Sequence, residues 1–184
     1  MGSLAQAEPQ CPACPRIHDL KVQRGNLVEQ GYNPAMESDP ENEPQWVNLA
    51  VRRVILREGV DQQWVYLAED PVAEGTEARG FPIVIGASEA MEIRRVLQEE
   101  RLERPLTHQL ALGIIQGLDA KLVTVEITGL KRNTFFAHLV LEKADGSLVK
   151  VDSRASDALA IGLRAGAKIC APDDLLEELR RDES

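Results

Sequence analysis

Apolar and polar positions follow regular patterns from about Trp46 onward. Loose alternation and short apolar runs predict three strands in the first part of this region, at Val47–Leu56, Trp64–Ala68 and Phe81–Gly86. The spacing then becomes helical, and Ser88 is placed to cap this first helix. Pro105 interrupts the helical pattern. A second helix is predicted after it, with Thr107 as its cap and apolar residues at intervals of four, at Leu110, Ile114 and Leu118.

The remaining pattern predicts paired strands followed by two more helices. The strands are at Lys121–Thr128 and Thr134–Glu142, and A-D-G-S at Ala144–Ser147 is a hairpin signal that leads into L-V-K-V-D. After these we predict an alanine-rich helix at Ser153–Ala165 that stops at Gly166, a strand at Lys168–Ala171 and a charged helix from Asp173. Strands in groups with helices between the groups favour an α+β domain over a repeating βαβ array.

The chain divides into three parts by composition. Residues 1–45 are rich in Pro, Glu, Gln and Asn without a sustained period, which predicts a disordered acidic arm. Residues 46–171 form the predicted single folded domain, and residues 172–184 a charged helix or tail. Within the arm, Cys11, Cys14 and His18 have part of the spacing of a zinc knuckle, but a closed site needs a fourth ligand, so we expect no metal there.

The formal charge of −9 is unevenly distributed. Residues 47–172 carry 17 acids and 16 bases, so the predicted domain is close to neutral and contains clusters of arginines. Solvated faces and the lining of a groove both stay open for these arginines. No apolar run approaches the length of a membrane span, and the start of the chain lacks the features of a secretory signal, so we expect a cytoplasmic protein without a membrane partner.

Candidate chemistry is concentrated where a predicted strand runs into the alanine-rich helix. Asp152, Arg154, Ser156 and Asp157 lie within six residues there. Helix capping by Ser153 or Ser156 and pairing of Asp157 with Arg164 along the helix would explain part of this set. Capping does not require Asp152 or Arg154, so a structural junction and a working site both stay open.

Two further candidates lie at predicted helix starts. His108 and Glu89 each fall in a first turn, where the helix dipole acts on an imidazole or a carboxylate. Three carboxylates, one histidine and one arginine would suit metal-assisted phosphodiester hydrolysis, with Mg²⁺ or Mn²⁺ held by carboxylates, a base that activates water and an arginine on the phosphate.

Four motifs together resemble a known family. They are F-P-I-V-I-G-A-S-E-A at Phe81–Ala90, R-P-L-T-H at Arg104–His108, T-F-F-A-H-L-V-L at Thr134–Leu141 and D-S-R-A-S-D-A-L-A-I at Asp152–Ile161. In this order and spacing they resemble the bifunctional nuclease domain family, over about Val47–Ala171. Two positions depart from the family pattern. Ala155 replaces a common proline and Gln109 replaces a usual acid, which puts any role of that acid in doubt here.

The resemblance implies a strongly bent sheet with helices packed against it, a tendency to form dimers or larger oligomers, and activity on both DNA and RNA. Carried over position by position, it makes His108, Asp152, Asp157 and Glu89 candidate catalytic residues, the three acids also candidate metal ligands, and Arg154, Ser156 and Arg104 candidate substrate contacts. The alternative is a non-catalytic oligomeric module, in which these polar residues form a structural network.

Overall fold

The computed structural model describes residues 44–72 and 75–182. Within these ranges the chain forms seven strands and four helices. The strands are β1 (Trp46–Ile55), β2 (Gln62–Glu69), β3 (Gly80–Gly86), β4 (Lys121–Lys131), β5 (Thr134–Glu142), β6 (Leu148–Arg154) and β7 (Lys168–Pro172). The helices are α1 (Ala87–Leu97), α2 (Thr107–Gly117), α3 (Ala155–Ala165) and α4 (Asp173–Asp182). The predicted arm lies outside the described residues, and the division into parts stays a prediction.

The predicted strands and helices are present, with shifts of a few residues at their ends. The largest functional shift is at α3, which begins at Ala155 and not at Ser153. The reason is strand pairing, because Ser153 and Arg154 continue β6 and pair with Ala137 and Phe136 of β5. The strand therefore passes into the helix without a linker.

The predicted caps at Ser88, Thr107 and Ser153 are wrong. The N-cap residues of α1, α2 and α3 are Gly86, Leu106 and Arg154, and none of them forms a hydrogen bond to the helix with its side chain. At α2, Gln109 Oε1 instead accepts a hydrogen bond from the Leu106 backbone N–H at 2.8 Å. The polar side chains of the first turns are thus available for contacts between helices. The predicted stop at Gly166 is confirmed, with φ of 66°.

The strands form one mixed sheet in the order β3-β2-β1-β7-β4-β5-β6. β4 and β7 are parallel, and the other neighbours are antiparallel. β3 and β6 are the two edges. With the helices packed against one face, this is the predicted α+β single domain.

The sheet is strongly curled into a half-barrel, as predicted. β3 and β5 are five positions apart in the sheet, which would separate them by about 24 Å if it were flat. The rings of Phe81 on β3 and Phe135 on β5 are nevertheless stacked, with centroids 5.2 Å apart. Curling therefore brings the two edge regions of the sheet towards each other.

Helix α3 lies at the centre of the core. Ala158, Leu159 and Ala160 are fully buried, and α3 packs against both α1 and α2 as well as the sheet. At Gly162 the helix approaches β4 so closely that a Cβ atom would collide with Cγ2 of Val125. Glycine is required here by contact and not by backbone conformation.

Helix α4 is fastened to the sheet by Arg79. This guanidinium donates hydrogen bonds to Glu69, Asp173 and Glu177 at 2.6 to 2.7 Å. Two of these acids belong to α4, so the charged C-terminal helix is fixed to the end of β2. None of the helices in the described residues is long and apolar enough to cross a membrane.

The contact at Gly162 gives a stability prediction. Gly162→Ala should lower the free energy of unfolding by about 1–3 kcal/mol, because the added methyl group displaces the buried Val125. Gly129→Ala on β4 is the matched control, since its Cβ would meet no atom within 4 Å in the part of the chain that the structure describes. The control should be neutral or stabilising by about 0.5–1 kcal/mol. Chemical denaturation measures both changes, and equal stability of the two variants would contradict the packing described.

Candidate functional site

The first turns of three helices meet at one place. Glu89 is the third residue of α1, His108 the second of α2 and Asp157 the third of α3. His108 Nε2 and Asp157 Oδ1 are 3.0 Å apart and joined by a hydrogen bond. Helix N-termini carry partial positive charge, so three of them together favour an anion in front of them.

Arg154 connects the carboxylates of this cluster. Its Nε donates to Asp157 Oδ2 at 2.8 Å, and its Nη2 donates to Asp157 Oδ1 and to Glu89 Oε1, both at 3.2 Å. We call the group Glu89, His108, Arg154 and Asp157 the helix-terminus cluster. All four were predicted as site residues, and the structure brings them together, although they span 69 positions of the sequence from 89 to 157.

Local chain geometry places each of these side chains. β6 ends at Arg154 and α3 starts at the next residue, so Arg154 and Asp157 lie on consecutive elements. On the other side, β3 passes into α1 through Gly86, where any Cβ would occupy the position of the Glu89 carboxylate. Ser88 Oγ donates to Glu89 Oε2 at 2.8 Å. Gly86 and Ser88 were not predicted to position Glu89, and the signal for them was the G-A-S-E sequence itself.

The pKa values of the cluster favour its ionised form. Burial raises the pKa of Asp157, but hydrogen bonds from Arg154 and His108 outweigh it, and the net pKa is below the usual value. Burial likewise raises the pKa of Glu89. Hydrogen bonds from its own backbone N–H and from the Ser88 hydroxyl, together with the charge of Arg154, lower the pKa by more, so the net pKa is also below the usual value. The hydrogen bond to Asp157 raises the pKa of Arg154. The carboxylates and the guanidinium are therefore charged at neutral pH.

The cluster is only partly enclosed. The Arg154 side chain is 69% exposed, whereas those of His108 and Asp157 are 15% and 27% exposed. Arg154 uses Nε and Nη2 in the cluster, and its Nη1 has no hydrogen-bond partner among the described residues. The arrangement thus offers an oriented imidazole next to a guanidinium that reaches solvent.

The other predicted site residues lie outside the cluster. Asp152 is exposed on β6, opposite His138 of β5, and makes no ion pair with another described residue. Ser156 is half-buried in the first turn of α3, and Arg104 is exposed ahead of α2. In the part of the chain that is described, neither of them hydrogen-bonds to the cluster. Their roles stay predictions.

Arg164 does not pair with Asp157, contrary to the sequence-based hypothesis. It donates to Glu92 Oε1 at 2.6 Å, and Glu92 is 1% exposed between α1 and α3. Glu89 and Glu92 are three apart and share one side of α1. Each of these acids meets an arginine, so two charged contacts join α1 to the α3 segment.

The carboxylates of the cluster are arranged around an arginine. Glu89 and Asp157 both accept hydrogen bonds from Arg154 Nη2, and Asp152, the third acid predicted as a metal ligand, is not among them. Residues 44–72 and 75–182 contain no group of three or more His, Cys, Asp or Glu side chains placed to hold a metal ion. The role of the three acids as metal ligands stays a prediction, and Cys11, Cys14 and His18 lie outside the described residues.

The lowered pKa values predict how stability depends on pH. Carboxylates with depressed folded-state pKa values stabilise the fold above their unfolded values, near pH 4, and this contribution is lost as pH falls through the folded values. The melting temperature of the wild type should therefore drop below about pH 4. The drop should be shallower in Asp157→Asn, which cannot titrate. Asp119→Asn, at an exposed acid, should keep the wild-type slope. Identical slopes in all three proteins would contradict the role given to Asp157.

Comparison with known proteins agrees with the motifs. The family model of the bifunctional nuclease domain matches residues 72–184, more than half of the chain and including α4. Two proteins of Mycobacterium tuberculosis, from strains CDC 1551 and H37Rv and each named an uncharacterized protein, are 38% identical over 111 residues. That alignment covers 59% of this chain and 65% of each relative, which is less than two thirds of their length. By its motifs and by this match, the chain belongs to the bifunctional nuclease domain family.

Proposed function

We propose that the protein is a nuclease of broad specificity that hydrolyses phosphodiester bonds in DNA and RNA at the helix-terminus cluster. The observation that carries the proposal is the hydrogen-bonded set of imidazole, carboxylates and solvent-reaching guanidinium in front of three helix N-termini. Membership of the family supports the same class of activity.

His108 is the proposed base. When Asp157 is ionised it accepts a hydrogen bond from Nε2–H, which orients the ring and leaves Nδ1 as the nitrogen with a lone pair. A carboxylate that holds an imidazole in this way stabilises the charge that forms when the ring takes a proton from water. Asp157 is then a positioning residue for His108, while Glu89 positions Arg154.

Arg154 is the proposed phosphate contact. Two carboxylates fix the guanidinium from one side, and its remaining N–H groups face solvent. A fixed guanidinium loses little freedom when it binds a phosphate oxygen, and its charge offsets the charge that develops during hydrolysis. Arg104 and Ser156, which are near the cluster residues in sequence, are proposed as further contacts to the nucleic-acid substrate.

Mg²⁺ or Mn²⁺ remains a proposed cofactor without a step assigned to it. Since Arg154 occupies the space between Glu89 and Asp157, the cation that those acids hold in this structure is a guanidinium. Activity with and without divalent ions decides whether a metal is required. The proposed location of the enzyme is the cytoplasm.

A homo-oligomer is the second proposal, and helix α2 carries it. One face of this helix, together with the two residues that flank it, presents Leu106, Leu110, Ile114 and Leu118, which are 42% to 75% exposed. These residues recur every four positions and form one stripe, which we call the α2 face. Monomeric soluble proteins rarely expose large contiguous apolar patches, and contact with another protein is one reason for such a patch.

A second copy of the chain is the partner that fits the α2 face. Residues 106–118 contain no Asp, Glu, Lys or Arg, so two identical faces meet without repulsion although each chain carries a net charge of −9. Gly113 and Gly117 share this side of the helix, and a Cβ on either would meet no atom of the described residues within 4 Å. Two helices can therefore approach closely in a symmetric pair. The α2 face also supports the alternative function, a non-catalytic oligomeric module with the cluster as a structural network.

The nuclease proposal predicts that His108→Ala lowers the hydrolysis rate at least about 100-fold, because the base is removed. The measurement is cleavage of single-stranded RNA and of single-stranded DNA by purified protein, with and without Mg²⁺ or Mn²⁺. His138→Ala on β5 is the matched control and should retain the wild-type rate. Asp152→Asn shows whether the site extends to β6. If His108→Ala cleaves as fast as the wild type, the cluster is not a nuclease centre. That result would favour the alternative function, a non-catalytic oligomeric module.

The oligomer proposal predicts a mass of twice 20.3 kDa for the wild type in sedimentation equilibrium. Leu110→Glu combined with Ile114→Glu should return the mass to 20.3 kDa, because charges would face each other across the contact. Leu148→Glu, at an exposed leucine of β6, controls for a general effect of surface acids and should leave the mass doubled. A wild-type mass of 20.3 kDa at all concentrations would refute the proposal.

A further inference from the structure

A cleft of about 420 Å³ lies on the far side of α1 from the helix-terminus cluster. It is formed between α1 and the turn that joins β1 to β2, and its volume is in the range of small-molecule sites. Ala87, Met91 and Arg94 line it from one face of α1, whereas Glu89 and Glu92 occupy the opposite face. The cleft is therefore separate from the site proposed for hydrolysis.

A buried amide fixes the wall of the cleft. Gln63 is 3% exposed, and its Oε1 accepts a hydrogen bond from the Arg57 backbone N–H at 2.6 Å. Its Nε2 donates to the carbonyl oxygens of Arg57 and Val60. The turn is held in shape by these three bonds before any ligand arrives, which lowers the entropy lost on binding.

Two arginines of the cleft have no acidic partner among the described residues. Arg52, Arg79, Arg95, Arg154 and Arg164 each lie within 4 Å of a carboxylate. Arg57 and Arg94 form no such pair with any of the described residues, although the exposed Glu58 also lines the cleft. Arg94 Nε is buried without a hydrogen-bond partner in this part of the chain. The Arg57 guanidinium lies over the Trp64 ring at 5.2 Å, which leaves its N–H edge free for an anion.

Apolar side chains stand beside these charges. Leu56 and Val60 are 37% and 46% exposed at the turn, and Met91 lines the cleft from α1. Methionine and aliphatic side chains adapt to flat rings, and an arginine pair matches a phosphate group. The chemistry combines an anion site with an apolar surface.

We propose that this cleft binds a nucleotide, with its phosphate on Arg57 and Arg94 and its base against Leu56, Val60 and Met91. The nucleotide is either free or one unit of a strand, since both present the same groups. The inference rests on the residues of the cleft and does not require that the helix-terminus cluster hydrolyses anything.

Titration calorimetry with the full chain in EDTA tests the proposal. The probes are adenosine 5′-monophosphate, a short oligothymidylate and inorganic phosphate. The variants Arg94→Gln and Arg57→Gln should each bind the nucleotide probes about tenfold or more weakly than the wild type, because each loses a charge-assisted contact to the phosphate. Arg181→Gln on α4 removes the same charge elsewhere and should bind like the wild type, as should His108→Ala. Thermal melting checks that each variant is folded.

The outcomes separate the sources of the ligand. If the cleft variants bind both adenosine 5′-monophosphate and the oligothymidylate more weakly than the wild type, the cleft is a site for free nucleotides. If only their binding of the oligothymidylate is weakened, the cleft is a site for a nucleic-acid strand. The proposal is overturned if neither nucleotide probe binds, if both cleft variants bind as tightly as the wild type, or if inorganic phosphate binds as tightly as the nucleotides, since then nothing recognises the base. If His108→Ala loses hydrolysis but binds the nucleotide probes as tightly as the wild type, the nucleotide site in the cleft is independent of the site proposed for hydrolysis.

Discussion

The guanidinium of Arg154 is the contact on which the architecture around the cluster depends. It joins Glu89, just after one edge strand, to Asp157, just after the other. Five strands lie between these two edge strands in the sheet, so the contact forms only because the sheet is curled. The same curl stacks Phe81 on Phe135 and gives α3 its buried position. Charge pairing at the surface and apolar packing beneath it thus stabilise one closed geometry.

Helix α3 connects the cluster to the core of the domain. Its start supplies Asp157, its middle packs on the sheet at Gly162, and its end pairs Arg164 with the buried Glu92. The proposed chemistry and the packing core are therefore built on one short helix. Substitutions in α3 are expected to affect both the chemistry and the packing. Variants of cluster residues outside α3, such as His108 on α2, are therefore more informative about function.

Local patterns in the sequence predicted the strands, the helices and the four residues of the cluster as candidates, because periodicity and residue type at the ends of elements are local properties. They could not predict contacts that arise from the curl, such as Glu89 with Arg154, which are 65 residues apart. The same limit explains the mistaken pairing of Asp157 with Arg164, since Glu92 belongs to a different helix. The caps at Ser153 and Ser88 were wrong because strands β6 and β3 continue to Arg154 and Gly86, which determine where α3 and α1 begin. The bend of the sheet followed from the family motifs and not from periodicity.

The direct passage from β6 into α3 makes the position of Arg154 depend on the β5–β6 hairpin. Side chains alternate between the two faces of a strand, so a register slip of one residue between β5 and β6 would turn Arg154 to the other face. That register is set by the turn at residues 144–147, where Asp145 accepts hydrogen bonds from the backbone and hydroxyl of Ser147. The length of a surface turn at the opposite end of the strand therefore determines where the guanidinium points, and evolution can retune this site by insertion or deletion in a loop that never touches it.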